Sequence, residues 1–76
     1  MTSIRRPPPT PEPGDVVIRE LGGAFFVAWM DDAGHYRDRF GPTKAFATAA
    51  TVARQMHPDA RILRALPRGG FEEVDQ

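Results

Sequence analysis

The chain has no cysteine, no net formal charge and no apolar run longer than the seven residues Ala24–Met30. Each absence excludes something. Without thiols there is no disulfide staple and no thiolate zinc site, so 76 residues, close to the lower limit for a single core, must be held by packing or by association. Ten Lys plus Arg against ten Asp plus Glu remove the long-range field that draws proteins to nucleic acid or anionic membrane, leaving local basic patches for that purpose. The run Ala24–Met30 is far too short to span a bilayer, and the opening MTSIRRPPP lacks the apolar centre of an export signal. A cytoplasmic protein with no membrane partner is expected.

What is present is unevenly distributed. Residues 1–14, MTSIRRPPPTPEPG, hold five of the eight prolines and are expected to form a flexible, extended tail. Arg5-x-x-Pro8-x-x-Pro11 within it matches ligands of SH3 domains, a pattern that proline-rich composition alone produces often. A single domain is expected over residues 15–66, and PRGGFEEVDQ, residues 67–76, reads as a second flexible, polar tail. Within the domain DVVIREL, AFFVAWM and HYRDRF read as strands joined at Gly22-Gly23 and at a loop ending in Ala33-Gly34, both hairpin chemistry. In GPTKAFATAATVARQMHPDA, Thr43 is placed to cap a helix whose positions Phe46, Ala49, Val52, Ala53 and Met56 follow helical spacing, and His57-Pro58 ends it. ARILRAL, residues 60–66, supplies a last strand. The expected fold is α+β in the order β-β-β-α-β, a three- or four-stranded, mainly antiparallel sheet with one helix packed on one face.

Pairing separates the two faces. A two-residue turn at Gly22-Gly23 sets Ile18 opposite Val27 and Val16 opposite Trp29. A second loop of two residues, Ala33-Gly34, or four, Asp31–Gly34, leaves that alternation intact, whereas an odd loop or a bulge would reverse it. One face then carries Val16, Ile18, Phe25, Val27, Trp29, Tyr36 and Phe40, interrupted by Glu20 and Asp38, and is the core beneath the helix. The other carries Val17, Arg19, Leu21, Phe26, Ala28, Met30, His35, Arg37 and Arg39. Phe26 and Met30 each offer about 1.5–3 kcal/mol on full burial, so this mixed face calls for a cover. Arg19, Phe26, Met30, His35, Arg37 and Arg39 are therefore the expected binding face of a small, non-catalytic interaction module. Its expected partner is a protein, with a homodimer of this chain as the leading form. The alternative is a DNA- or RNA-binding domain using the same face, its arginines on phosphate and Phe26 and His35 stacking on bases.

Residues 16–56, VVIRELGGAFFVAWMDDAGHYRDRFGPTKAFATAATVARQM, resemble the three-strands-then-helix pattern of integrase arm-type and AP2-like DNA-binding domains. That resemblance implies a sheet face laid into the major groove, with contacts from Arg19, Arg37 and Arg39. The dense basic load of those domains is missing, and ARILRAL adds a strand after the helix. The β-β-β-α-β order resembles instead small bacterial domains that carry no settled activity.

No catalytic or metal signature competes with these readings. Asp31, Asp32, His35 and Asp38 are types that hold divalent ions, but Asp-Asp-Ala-Gly is first of all turn chemistry. His57 complements a helix C-terminus. Ser-His-Asp spacing, a glycine-rich phosphate loop and His-Glu-x-x-His are all absent, so no enzyme, cofactor, metal site or small-molecule substrate is expected. Arg68-Gly69-Gly70 is a single copy of a unit that acts through repeats. Glu72-Glu73-Val74-Asp75 resembles a chaperone C-terminal tetrapeptide, but Gln76 displaces the terminal carboxylate.

Overall fold

In a computed structural model, residues 9–74 are described. The chain runs β1 (Val16–Leu21), β2 (Ala24–Met30), β3 (Tyr36–Thr43), α1 (Phe46–Met56), β4 (Ile62–Ala65) and β5 (Phe71–Glu73). The fold is α+β as expected, with one strand more. All five strands form one sheet in the order β3-β2-β1-β4-β5. β4 returns from the helix to lie parallel to β1, Val16 beside Ile62 and Val17 beside Leu63, while every other pairing is antiparallel.

The fifth strand replaces part of the expected polar tail. Pro67–Gly70 turns the chain, with Gly69 N donating to Leu66 O and Leu66 N donating to Gly70 O, both at 3.0 Å. Arg68-Gly69-Gly70 is thus a hairpin turn. Glu73 then pairs with Leu63, and Val74 packs against the core, so most of the Glu-Glu-Val-Asp stretch serves the fold. At the other end, residues 1–8 of the expected leader lie outside the described residues, but Pro9–Gly14 are tied down. Gly14 N donates to Met30 O at 2.8 Å, Asp15 N to Glu12 O at 2.9 Å, and Arg61 reaches the Thr10 carbonyl at 2.8 Å.

The helix stands on one face. Val16, Ile18, Val27 and Ile62 meet Ala49, Ala50 and Ala53 in the core, with Phe25, Trp29, Phe40 and Phe46 partly buried around it. Alanines on the buried side of α1 let its backbone approach the sheet closely, and the larger sheet side chains fill the space between. Thr43 is not the cap: it ends β3, and the N-cap position falls to Ala45, which offers no side-chain bond. The C-terminus is better closed, His57 N donating to Ala53 O at 3.0 Å while its ring stacks on Trp29 at 5.7 Å.

The first hairpin has the expected register, Ile18 opposite Val27 and Arg19 opposite Phe26. The second does not. Met30 pairs with Tyr36, so the connection is the five residues Asp31–His35, an odd number. Two register shifts follow between Phe25 and Ala28, where β3 carries extra residues. Gly41 sits at one of them with φ +122°, and a Cβ there would lie 2.7 Å from the Phe25 carbonyl oxygen. No side chain fits that contact unless the two strands part. Gly34, in the loop, also has positive φ but open space around it. Gly41→Ala should therefore lower unfolding free energy by about 2 kcal/mol or more, and Gly34→Ala by about 1 kcal/mol, in urea titrations; equal costs would contradict this account of the bulge.

Candidate interaction face

Alternation from the observed register assigns each predicted residue to a side. Val17, Arg19, Phe26, Ala28 and Met30 lie on the face away from the helix, as expected. Leu63 joins them from β4, and Ala65 and Phe71 follow by the same alternation. β3 is reversed at its start. Tyr36 stands opposite Met30 and Asp38 opposite Ala28, so both belong to this second face and not to the core. Arg37 stands opposite Trp29 and the Arg39 guanidinium lies 5.1 Å from the Trp29 ring centroid, so both arginines belong to the helix side. The expected face thus keeps Arg19, Phe26 and Met30 together and loses Arg37 and Arg39. His35 is an exposed loop residue on neither face.

One carboxylate causes the reversal. Asp31 Oδ1 accepts from Ala33 N at 3.0 Å and from His35 N at 2.9 Å, while Oδ2 accepts from Arg37 Nε at 2.8 Å. Gly34 N also donates to Asp31 O at 2.9 Å, closing a β-turn with aspartate first and glycine fourth. The sequence pattern Asp-x-x-Gly carried that signal. Asp31 N donating to His35 O makes the pair that fixes a five-residue loop. Both oxygens that a metal reading would need are occupied by donors, and no group of three or more potential ligands occurs among the described residues.

The backbone N–H of His35, then the Arg37 guanidinium, hold the Asp31 carboxyl below its ordinary value of 3.8. A group depressed on folding adds stability that is fully present above its unfolded pKa and is lost as pH falls through the folded one. Acid should therefore loosen this turn only below about pH 4. Asp31→Ala should lower the thermal midpoint by a few degrees at pH 7 and by much less at pH 2. A deficit of the same size at both pH values would contradict the assigned role.

Arg19 organises the second face. Its guanidinium donates to Asp38 Oδ1 at 3.3 Å and lies 5.4 Å from the Tyr36 ring centroid. Reaching β3 from β1 takes the side chain across β2, where the residue in line with Asp38 is Ala28. Arg19 is consequently neutralised in place, as Arg37 is by Asp31.

Exposure divides this face into a centre and a rim. Val17, Ala28 and Leu63 have 0% of their surface exposed and Met30 has 8%, whereas Leu21 is 61% and Tyr36 38% exposed. Phe26 and Phe71 are half-buried. Beyond the β1–β2 turn the rim opens into a cavity of about 510 Å³ lined by Arg19, Leu21, Gly22, Ala65, Leu66 and Pro67 among others. This concavity, whose lining includes the exposed Leu21 together with the charged Arg19 and Glu20, was not anticipated, because it forms only where β4 runs beside β1. No known protein family, curated protein or solved structure matches this chain.

Proposed function

We propose that the protein is a small, non-catalytic interaction module that binds a protein, with a second copy of itself as the leading partner, through the rim of its second sheet face. The observation that carries this reading is Leu21, 61% exposed, which lines the cavity together with Arg19, Glu20, Ala65 and Leu66. An exposed leucine at the lip of a concavity is a surface that a two-fold interface can use twice. Tyr36, Phe26 and Arg19 extend the same surface, and aromatic residues and arginine are enriched where proteins meet. Full burial of Leu21 is worth about 1.5–3 kcal/mol, an appreciable part of a small domain's stability.

The nucleic-acid alternative draws less support from the arrangement of charge. Such a binder gathers unneutralised cations on one face. Here Arg37 and Arg39 stand on the helix side, and Arg19 is paired with Asp38.

Sedimentation at graded concentration, in low and high salt and with or without a random duplex, tests the reading. A dimer that persists in high salt and is weakened at least about tenfold by Leu21→Asp is expected, since about 1.4 kcal/mol corresponds to tenfold. Leu21 is exposed in the free chain, so this substitution leaves the fold intact. A monomer at all concentrations, or a duplex bound with steep salt dependence, would contradict the self-association reading.

A further inference from the structure

Both edges of the sheet are open among the described residues: β3 has a neighbour only in β2, and β5 only in β4. An unpaired edge offers its backbone N–H and C=O groups to another strand unless something blunts it. β3 is blunted along part of its length, since its pairing is irregular at Arg39 and again before Thr43. Its regular portion is Tyr36–Asp38. β5, Phe71–Glu73, has the same length.

The two edges match in direction, hydrogen bonding and charge. β3 runs with β1, because β2 reverses between them, whereas β5 runs against β4 and therefore against β1. A second copy set beside the first in the same sheet plane thus brings its β5 antiparallel to β3. Asp31 N donates to His35 O, so by alternation Arg37 bonds inward to β2, while Tyr36 and Asp38 turn their backbone groups outward. Leu66 N donates to Gly70 O and Val74 N to Ile62 O, so Glu72 bonds inward to β4, and Phe71 and Glu73 are the outward pair. The side chains agree with that phase. Arg37 and Glu72 both lie on the helix side, Glu72 opposite Arg64, whose guanidinium sits over the Phe46 ring. Arg37 keeps 61% of its side chain exposed beyond its bond to Asp31, and Glu72 is exposed with no ion pair among the described residues.

From this match we infer that β3 of one copy pairs antiparallel with β5 of a second copy, in the register Tyr36 to Glu73, Arg37 to Glu72 and Asp38 to Phe71. This register sets the unlike charges Arg37 and Glu72 face to face and puts no like charges directly opposite. β3 on a second β3, centred on Arg37 or Asp38, would set that residue against its own copy, as would β5 on β5 centred on Glu72. α1 touches β1 to β4 but not β5, so the arriving edge brings no helix against the first. Because the contact joins two different edges, each copy can hold two others. It does not rest on the contact proposed through Leu21.

Amide chemical shifts of the full chain carrying Leu21→Asp, followed up to millimolar concentration, separate this contact from the one at the rim. Signals of Tyr36, Asp38, Phe71 and Glu73 should move together with concentration, and their failure to move would overturn the inference without touching the reading of Leu21. Proline removes an outward N–H and leaves the pairing inside the sheet intact. Asp38→Pro and Glu73→Pro should therefore each abolish the movement alone and restore it when mixed, at Phe71 and Glu73 of the first variant and at Tyr36 and Asp38 of the second. Movement in either variant by itself would show an edge pairing with its own copy and overturn the inference equally. Glu72→Arg, which keeps every backbone donor, should weaken the association by about threefold or more; an unchanged affinity would contradict the register.

Discussion

The constraint on which the structure depends is that β1 is walled on both sides. Val16 and Ile18 face the helix core, Val17 faces the opposite way, and none of the three has more than 1% of its surface exposed. β1 also has a hydrogen-bonded neighbour at each edge, β2 and β4. A strand buried on two faces needs two covers, and a domain this short affords one helix. On the second face the described chain offers only smaller parts: the Arg19 side chain bonded to Asp38, and the segment before β1 that Arg61 ties through Asp15 and Thr10.

The Asp31 turn decides which charges this second face receives. Five residues between β2 and β3, instead of two or four, rotate Tyr36 and Asp38 onto it and send Arg37 to the helix side. Asp38 thereby meets Arg19, and Arg39 lies over Trp29 while His57 stacks on the same ring. Of the three arginines expected there, the face keeps Arg19 alone, paired with Asp38, and Arg61 at its margin is paired with Asp15. Cations held in ion pairs among apolar and aromatic side chains support the proposed protein contact over phosphate contact.

Much of this architecture was legible in the residues. Gly-Gly between two apolar runs set the first hairpin in register, and the spacing of Ala49, Val52 and Ala53 with His57-Pro58 placed the helix. The side of β4 was open because a parallel return can join either edge, and only the pairing of Val16 with Ile62 settles it. β5 was hidden because FEE is short and two of its three residues are acidic; it becomes a strand by pairing with the already buried β4, a tertiary effect that local propensity does not carry. The reversed facing of β3 was signalled by Asp31 and Gly34 in the first and fourth positions of a turn. Gly41-Pro42 looked like the end of the strand, whereas β3 runs on to Thr43; the earlier irregularity at Arg39, between the Ala28–Asp38 and Val27–Phe40 pairs, returns Phe40 to the core.

The account rests on the second face bearing stability as the helix face does. Ile62 and Leu63 are adjacent, point to opposite faces and are 2% and 0% exposed. The most direct measurement is the pair of urea unfolding curves for Ile62→Ala and Leu63→Ala. If the second face is covered within the chain, both substitutions should cost about 2–4 kcal/mol, the usual range for truncating a buried aliphatic side chain. A full cost for Ile62→Ala with less than about 1 kcal/mol for Leu63→Ala would show a face open to water, and would contradict the account.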